Sequence, residues 1–343
     1  MKNTGKLLTK SKSKINFKNQ KSKFSKKGIT IHHGNSLDLY SKWPKPTVII
    51  SDGPYGLGSY DGDPPTIEKL VEIYEPHVKS WSTSSQPETT LWFWNSELGW
   101  ATVHPLLVKH GWKFVSCHIW NKGLAHVAGN SNTKTLRKFP VVSEVCVQYV
   151  KVAKINGMNL KDWLRFEWER SGLPLSKSNE ACDLKNAATR KYLTKDHLWY
   201  YPPPNEFEKL VKYANKFGKK EGKPYFSNDG KMSLTKSDWA KMRAKFSCSF
   251  GITNVWDESP LSGEERLKNG TKRVHANQKP IKLLERIILA SSDIGDVIWD
   301  PFSGLGSGAI AAYKNSRKCV SAELNSEFYH LSIERLQNYK LKK

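Results

Sequence analysis

Short apolar runs alternate with longer amphipathic stretches along the chain from residue 29 onward. A short apolar run is typical of a buried strand, and apolar residues that recur every three or four positions are typical of a helix. In the first half the pattern predicts helices at about 65–82 and up to His110, and strands at 47–50, 90–94, 112–120 and 141–149. Strands that alternate with helices favour a parallel α/β sheet.

The same pattern returns near the end of the chain, after a stretch of a different kind. Residues 153–250 are predicted to form several short helices joined by polar loops. Beyond them the pattern predicts a helix at about 280–292, a strand at 297–299, a loop at 300–308 followed by a helix, a strand at 319–322 and a last helix from Ser326. The helical stretch is therefore predicted to be an insertion between two halves of one sheet.

Charge is the compositional feature that changes this picture most. The chain carries 55 Lys and Arg against 32 Asp and Glu, a net charge of +23. Residues 1–28 contain ten lysines and no acid, residues 151–250 contribute a further +10, and the rest of the chain carries only +3. A soluble chain this basic usually binds a polyanion, most often nucleic acid. The lysine-rich residues 1–28 are predicted to be a disordered tail that either aids solubility or binds phosphates.

Several classes of protein are disfavoured by the sequence. No apolar run approaches the length of a membrane span, and the lysine-rich N-terminus lacks the apolar stretch of a secretory signal. The five cysteines are scattered, which predicts a reducing compartment, the cytoplasm, and disfavours a disulfide framework. The histidines form no cluster with cysteines, so no metal site is predicted.

A glycine-rich loop at 300–308 is a candidate ligand-binding element. It follows a predicted strand, contains Gly304, Gly306 and Gly308, and precedes a helix, whose N-terminal amides would face a ligand. Glu323 ends the next strand, where an acid accepts hydrogen bonds from ribose hydroxyls in folds of this kind. The spacing predicts an adenosine-bearing ligand without a pyrophosphate, although such a loop is often only a turn.

A second candidate loop, Asp52-Gly53-Pro54-Tyr55, follows the predicted strand at 47–50. A carboxylate and a fixed carbonyl can together accept both hydrogens of an exocyclic amino group, and a tyrosine beside them can stack on a base. Considered alone, the segment is equally a proline–glycine turn with an Asp cap.

Together with His275-Ala276-Asn277-Gln278-Lys279-Pro280, the two loops resemble the motifs of the DNA amino-methyltransferases. These enzymes use S-adenosylmethionine to methylate adenine N6 or cytosine N4, and the motif order resembles that of their β subclass. The resemblance implies a Rossmann-like methyltransferase sheet with circularly permuted motif order and a mainly helical inserted recognition region. The implied parts are the tail 1–28, a catalytic half 29–152, a target recognition region 153–250 and a cofactor-binding half 251–343.

The resemblance also assigns roles within the catalytic loop. Asp52 and the Gly53 carbonyl would bind the amino group of a base flipped out of the duplex, beside Pro54, and Tyr55 would stack on that base. Gly53 stands where the family has proline, which predicts a looser loop. An Asp in the first position favours adenine N6 over the alternative, cytosine N4.

Further residues are implied to bind the cofactor. Glu323 would hold the ribose. Lys279 would either pair with the methionine carboxylate or be an ordinary lysine at a helix start. The other implied cofactor residues are Gln278, Pro280, Asp300, Phe302, Gly304 and Gly306, whereas Gly308 is expected to be incidental.

The implied partner is double-stranded DNA. The enzyme would belong to a restriction–modification system, with a cognate endonuclease for the same site, or would be an orphan methylase. A different hypothesis is a non-catalytic DNA-binding regulator built on a decayed methylase scaffold. The intact Asp52, Tyr55 and Glu323 disfavour it.

A helix-turn-helix is the candidate for target reading. Residues 178–193 resemble one, and its second helix would present Lys185, Asn186, Thr189 and Arg190 to the major groove. The alternative is a plain helical hairpin with a solvated basic face.

Overall fold

The computed structural model describes residues 22–58, 62–124, 135–270, 272–275 and 277–340. Its strands are β1 (Lys23–Lys26), β2 (Ile29–His33), β3 (Val48–Ser51), β4 (Thr90–Asn95), β5 (Trp112–Asn121), β6 (Ser143–Lys151), β7 (Lys154–Ile155), β8 (Met158–Asn159), β9 (Val255–Asp257), β10 (Lys268–Asn269), β11 (Lys272–Arg273), β12 (Val297–Asp300) and β13 (Lys318–Glu323). Its α-helices are α1 (Leu70–Ser84), α2 (Glu97–Lys109), α3 (Leu160–Arg170), α4 (Lys177–Cys182), α5 (Pro204–Phe217), α6 (Lys236–Ala240), α7 (Ile281–Ser291), α8 (Ser307–Lys314) and α9 (Ser326–Asn338).

Within those ranges, nine strands form one sheet in the order β1-β2-β13-β12-β3-β4-β6-β5-β9. The central strands β2, β13, β12, β3 and β4 are parallel, as predicted. The sheet is mixed, however, because β6 runs antiparallel to both β4 and β5. An antiparallel pair needs no crossover helix, and β5 and β6 pair along almost their whole length. The prediction of a parallel sheet is therefore correct for the centre and wrong for β6, which runs antiparallel to both of its neighbours.

Strands β3 and β12 place the two candidate loops side by side. Every residue of β3 and of β4 is buried, as expected for strands covered on both faces. β3 pairs directly with β12, with Val48 opposite Ile298 and Ile49 opposite Trp299. Both strands end at the same edge, so Asp52 follows β3 next to Asp300, which ends β12. The carboxyl edge of a parallel sheet is where ligands bind in such folds.

Three apolar clusters form the core. Two of them cover the sheet and combine residues from both ends of the chain, including Ile50 with Ile287 in one and Ile49 with Trp299 in the other. The third cluster is built from residues between 153 and 242, with Trp163, Trp168 and Trp239 at its centre. The helical stretch between the two halves of the sheet therefore has a core of its own. Its boundaries as a target recognition region stay a prediction.

The end of the predicted tail is folded. Residues 1–21 lie outside the described residues, but Lys23–Lys26 form β1 and pair antiparallel with β2. Phe24 packs against the core, and Lys27 and Gly28 make the turn with positive φ angles of 45° and 83°. The prediction of disorder is wrong for residues 22–28 because Phe24 gives this lysine-rich stretch an apolar anchor.

The described residues contain neither a membrane-spanning helix nor a cluster of metal ligands. None of the helices there is long and apolar enough to cross a membrane. Likewise, the described part of the chain contains no group of three or more His, Cys, Asp or Glu residues that could hold a metal ion.

Candidate active site

A pocket of about 830 Å³ opens at the carboxyl edge of β3, β12 and β13. Ligand pockets for small molecules have this order of volume. Both candidate loops line it. The predicted site residues in its wall are Asp52, Gly53, Pro54, Tyr55, Gln278, Lys279, Asp300, Phe302, Gly304 and Glu323. Pro280, which precedes α7, and Gly306, which caps α8, are absent from the wall.

Hydrogen bonds hold the backbone of the catalytic loop. The carboxylate of Asp63 accepts from the amides of Tyr55 and Gly56, each at 2.8 Å, and from that of Leu57 at 3.1 Å. The Pro54 carbonyl accepts from the Tyr74 hydroxyl at 3.1 Å and from the Asn95 amide at 2.9 Å.

Gly53 fits a confined space in this loop. A Cβ at Gly53 would lie 2.7 Å from the Tyr74 hydroxyl and 2.8 Å from the Phe302 ring. A larger residue would therefore displace these neighbouring side chains, and the expectation of a looser loop at Gly53 stays a prediction. No described residue donates a hydrogen bond to the Gly53 carbonyl, so it can accept one from a ligand.

Lys279 lies at the centre of a buried ionic network. Its side chain is 2% exposed, and its Nζ lies 2.8 Å from Asp52 Oδ1 and 3.2 Å from Glu144 Oε2. The Tyr55 hydroxyl lies 3.0 Å from the same ammonium and donates to Glu144 Oε2 at 3.0 Å. Lys122 Nζ pairs with Glu144 Oε1 at 2.5 Å. The Lys279 ammonium thus contacts the catalytic loop, which neither of the two predicted roles included.

The network sets the charge of its members. Burial raises the pKa of Asp52 above its usual range, although the Lys279 ammonium acts in the opposite direction. Burial would also raise the pKa of Glu144, but Lys279 and Lys122 outweigh it and hold that pKa below the usual value. Burial lowers the pKa of Lys279, and the two carboxylates more than reverse the effect. Among these groups, Asp52 is the carboxylate best suited to take up a proton.

Asp300 is a second buried carboxylate in the pocket wall. Burial, together with the charges of Asp52 and Glu323, raises its pKa to about 8. None of the described residues donates a hydrogen bond to it. A Cβ at Gly308 would lie 2.3 Å from Asp300 Oδ2. The expectation that Gly308 is incidental is therefore wrong, because only glycine leaves room for this carboxylate.

Glu323 and Gln278 are engaged by neighbouring backbone. Glu323 accepts from the amide of Gly304 at 2.7 Å and from that of Asn325 at 2.8 Å, and burial raises its pKa. The Gln278 side chain donates to the Glu265 carbonyl at 2.7 Å and accepts from the Leu267 amide at 3.1 Å. Glu323 keeps lone pairs for a ligand, whereas the Gln278 amide secures the segment before α7.

Comparison with known proteins decides the family. A family model described as DNA methylase, for N6 and N4 amino-methyltransferases, matches residues 47–334. The chain belongs to this DNA methylase family.

Individual relatives agree with that assignment. The DNA adenine methyltransferase YhdJ of Escherichia coli (strain K12) is 45% identical over 83 residues, which are 24% of this chain and 27% of YhdJ. Matches to the first curated relatives span about a quarter of the length of those proteins.

Two solved structures confirm the predicted methyltransferase fold. The M1.HpyAVI–SAM complex has a TM-score of 0.52 at 14% identity and covers 91% of this chain and 100% of that one. The cytosine-N4-specific PvuII DNA methyltransferase has a TM-score of 0.50 at 13% identity and covers 91% of this chain and 88% of that one.

The predicted DNA-reading helix of this methylase differs from the structure. The first helix, α4, spans only six residues, and Ala188–Tyr192 form a single π-helical turn of five. The Thr189 hydroxyl points back to α4, where it contacts Ser178 at 2.9 Å and Asn179 at 2.8 Å. The prediction that Thr189 projects from a second helix is therefore wrong. Lys185 and Asn186 do not project from a second helix either, because they lie in the bend that precedes the π-helical turn, whereas Arg190 lies within that turn. All three side chains are exposed, and their contact with DNA stays a prediction.

Sequence reasoning missed several residues that shape the site. They are Asp63, Tyr74, Asn95, Lys122 and Glu144. Glu144 left one usable signal, since it is the acidic residue of a mainly apolar strand. Tyr74, Asn95 and Lys122 lie 20 or more residues from the groups they contact. Asp63 lies close in sequence to the loop it holds, but no local motif marks it.

Proposed function

We propose that the protein transfers a methyl group from S-adenosylmethionine to the N6 amino group of an adenine flipped out of duplex DNA. The observation that carries the proposal is that one pocket is lined by two hydrogen-bond acceptors, the Asp52 carboxylate and the Gly53 carbonyl, and by the buried carboxylate of Asp300. The first two suit an amino group with two hydrogens, and the third suits a cation.

The residues of the cofactor loop fit S-adenosylmethionine. Asp300 is buried and has no donor among the described residues, so the methionine ammonium would be its natural partner. Glu323 would accept from ribose hydroxyls. Gly304 and Gly306 adopt positive φ angles of 49° and 72°, which keep the turn tight enough for a ligand to approach the backbone. When bound, the cofactor supplies an electrophilic methyl group on its sulfonium.

The catalytic loop would orient the amino group of the base. Asp52 Oδ1 is occupied by Lys279 and by the Tyr55 hydroxyl, whereas no described residue donates to Oδ2. Oδ2 and the Gly53 carbonyl would accept the two amino hydrogens and thereby turn the nitrogen lone pair toward the methyl group. The nitrogen becomes acidic as it gains the methyl group, and Asp52, with its raised pKa, would take the proton. The Tyr55 ring would stack on the base.

Adenine is the base we favour. The first position of the catalytic tetrapeptide is Asp52, as in the adenine enzymes that the sequence resembles, and YhdJ is named an adenine methyltransferase. Cytosine N4 is the alternative, because Ser51 precedes Asp52 and the PvuII enzyme shares the fold.

We further propose that the protein acts in a restriction–modification system, with a cognate endonuclease for the same site, or as an orphan methylase.

Modification-aware sequencing of DNA from cells that express the protein tests this function. The proposal predicts N6-methyladenine in one sequence context, and its absence from cells that express Asp52→Ala at an equal level. N4-methylcytosine in that context would establish the alternative. Specific duplex binding by a wild-type protein that leaves DNA unmodified would favour the non-catalytic regulator.

A further inference from the structure

The ionic network beneath Asp52 contains more charges than a hydrogen-bond acceptor for the base requires. The side chains of Lys279, Glu144 and Lys122 are 2%, 11% and 12% exposed. Breaking water contacts around buried ions costs about as much free energy as their pairing returns. Stability is therefore a weak explanation for the network, and its position against Asp52 suggests a role in the reaction.

Lys279 fixes one oxygen of Asp52. Its ammonium donates to Oδ1 at 2.8 Å, and the Tyr55 hydroxyl, whose single proton is shared with Glu144, lies 3.3 Å from the same oxygen. Rotation of the carboxylate would break both contacts, so Oδ2 is the oxygen that remains for the amino group. Without the cation beside it, the pKa of Asp52 would rise further, and a protonated carboxyl is a poorer acceptor for an amino hydrogen.

Glu144 shares the same ammonium. Lys279 Nζ lies 3.2 Å from Glu144 Oε2, only slightly farther than from Asp52. A lysine with Asp52 as its single partner would make that carboxylate a poor proton acceptor. By taking part of the Lys279 charge, Glu144 leaves Asp52 more basic, and Lys122 in turn neutralises Glu144.

We propose that Lys279 and Glu144 are positioning residues for methyl transfer: Lys279 keeps Asp52 ionised and fixed, and Glu144 preserves its capacity to accept the amino proton. The inference rests on the proposed function. In the step, the amino nitrogen forms a bond to the methyl carbon as the carbon–sulfur bond breaks with its electrons on sulfur. One N–H bond then breaks, its electron pair stays on nitrogen, and the proton binds Asp52 Oδ2.

Other titratable groups also face Asp52. They are the Tyr55 hydroxyl, Cys146 on β6 and Asp300 at the end of β12. Burial raises the pKa of both Tyr55 and Cys146, so these groups are neutral near pH 7. Asp300 has a pKa of about 8 before the cofactor binds. With cofactor saturating, Asp300 is paired in every variant, so differences between variants report on Lys279 and Glu144.

The test is the pH dependence of single-turnover methyl transfer to duplex DNA, with tritiated S-adenosylmethionine saturating. The acid limb of this profile is the fall in rate at low pH as Asp52 becomes protonated. Glu144→Gln removes a negative charge near Asp52, which lowers the pKa of Asp52 and should move the acid limb to lower pH. Lys279→Met removes the cation and should move the limb to higher pH, each by on the order of one pH unit. The double variant should fall between wild type and Lys279→Met, because the closer charge dominates.

A matched control is Lys282→Met, which breaks the exposed pair of Lys282 with Glu258 at 2.8 Å and should leave the acid limb in place.

If the network were merely structural, Glu144→Gln and Lys279→Met would lower the rate of methyl transfer without moving the acid limb in opposite directions. Coincident limbs, or shifts of Glu144→Gln and the Lys279 variants in the same direction, would overturn the inference. If Lys279→Met does not fold, the double variant is compared with Glu144→Gln. The two differ only at Lys279, so the acid limb of the double variant should lie at higher pH. Absence of methyl transfer by the wild type would instead overturn the proposed function, and this inference with it.

Discussion

The Lys279 ammonium lies 2.8 Å from Asp52 Oδ1, and this contact joins the two halves of the sheet at the candidate active site. Asp52 follows β3 in the first half, whereas Lys279 precedes α7 in the second. β3 and β12 are neighbours in the sheet, so the pairing of the strands brings the two motifs together. The insertion between them has its own core. Methyl transfer is therefore proposed to depend on contacts between the two halves.

Replacement of Asp52 should slow methyl transfer strongly and spare DNA binding. Asp52→Asn keeps the size of the side chain but loses the charge that pairs with Lys279 and the capacity to take the proton. We expect methyl transfer to fall by about 10²-fold or more, as for the loss of a group that accepts a proton in catalysis. Single-turnover kinetics and equilibrium binding of the same duplex measure the two effects. Wild-type transfer rates in Asp52→Asn would contradict the assignment.

Asp300→Asn should stabilise the cofactor-free protein as the pH rises. The pKa of Asp300 is about 8 in the folded protein, above the usual value for an unfolded chain, so folding favours its protonated form. That contribution is fully present below about pH 4 and is lost as the pH rises toward 8. The stability advantage of the variant should therefore grow over this window and then level off, as followed by urea unfolding.

The same substitution should weaken cofactor binding, since Asn cannot neutralise an ammonium. Calorimetric titration with S-adenosylmethionine tests this, and the wild-type affinity should increase with pH as Asp300 ionises. Asp38→Asn, at an exposed position, is the matched control and should change neither property. Equal cofactor affinity in Asp300→Asn and wild type would refute the role of Asp300.

Gly308→Ala tests the close approach of α8 to Asp300. The added methyl group would lie 2.3 Å from Asp300 Oδ2, so the carboxylate must move or the helix must shift. We expect a lower melting temperature and loss of cofactor binding. Combining it with Asp300→Ala makes room for the methyl group and should restore the melting temperature but not the binding. A Gly308→Ala protein with wild-type properties would show that the fit is looser than described.

The folded part of the basic N-terminus changes how a tail deletion should be made. Removal of residues 1–28 would delete β1, which pairs with β2 at one edge of the sheet. Removal of residues 1–21 takes away seven lysines and leaves β1 in place. We expect weaker binding to every DNA sequence and a flatter dependence on salt, with an unchanged target site. A deletion that changes the methylated sequence would contradict this.

Much of the fold could be predicted because the central strands are buried on both faces and read as continuous apolar runs, as in β3 and β4. Strand β1 could not be predicted because it contains only one apolar residue, Phe24, between Lys23 and Lys26, so it shows no apolar run. The direction of β6 depends on pairing with β4 and β5, which local periodicity does not encode.

The site shows the same division between local and distant signals. Asp52 and Tyr55 follow β3 and Glu323 ends β13, all within recognisable motifs, so the sequence could predict that they share one pocket. Glu144 joins them only through contacts made in the folded chain, and the π-helical turn at Thr189 reflects a hydroxyl that binds α4. Spacing along the sequence carries no information on such contacts.

The identity of the modified nucleoside tests the central claim most directly. Purified protein would be incubated with duplex DNA and tritiated S-adenosylmethionine, and the DNA digested to nucleosides and separated by chromatography. The account predicts that the label elutes with N6-methyldeoxyadenosine and that Asp52→Asn transfers it at a rate lower by about 10²-fold or more. Label in N4-methyldeoxycytidine, or no label in DNA to which the protein binds specifically, would contradict it.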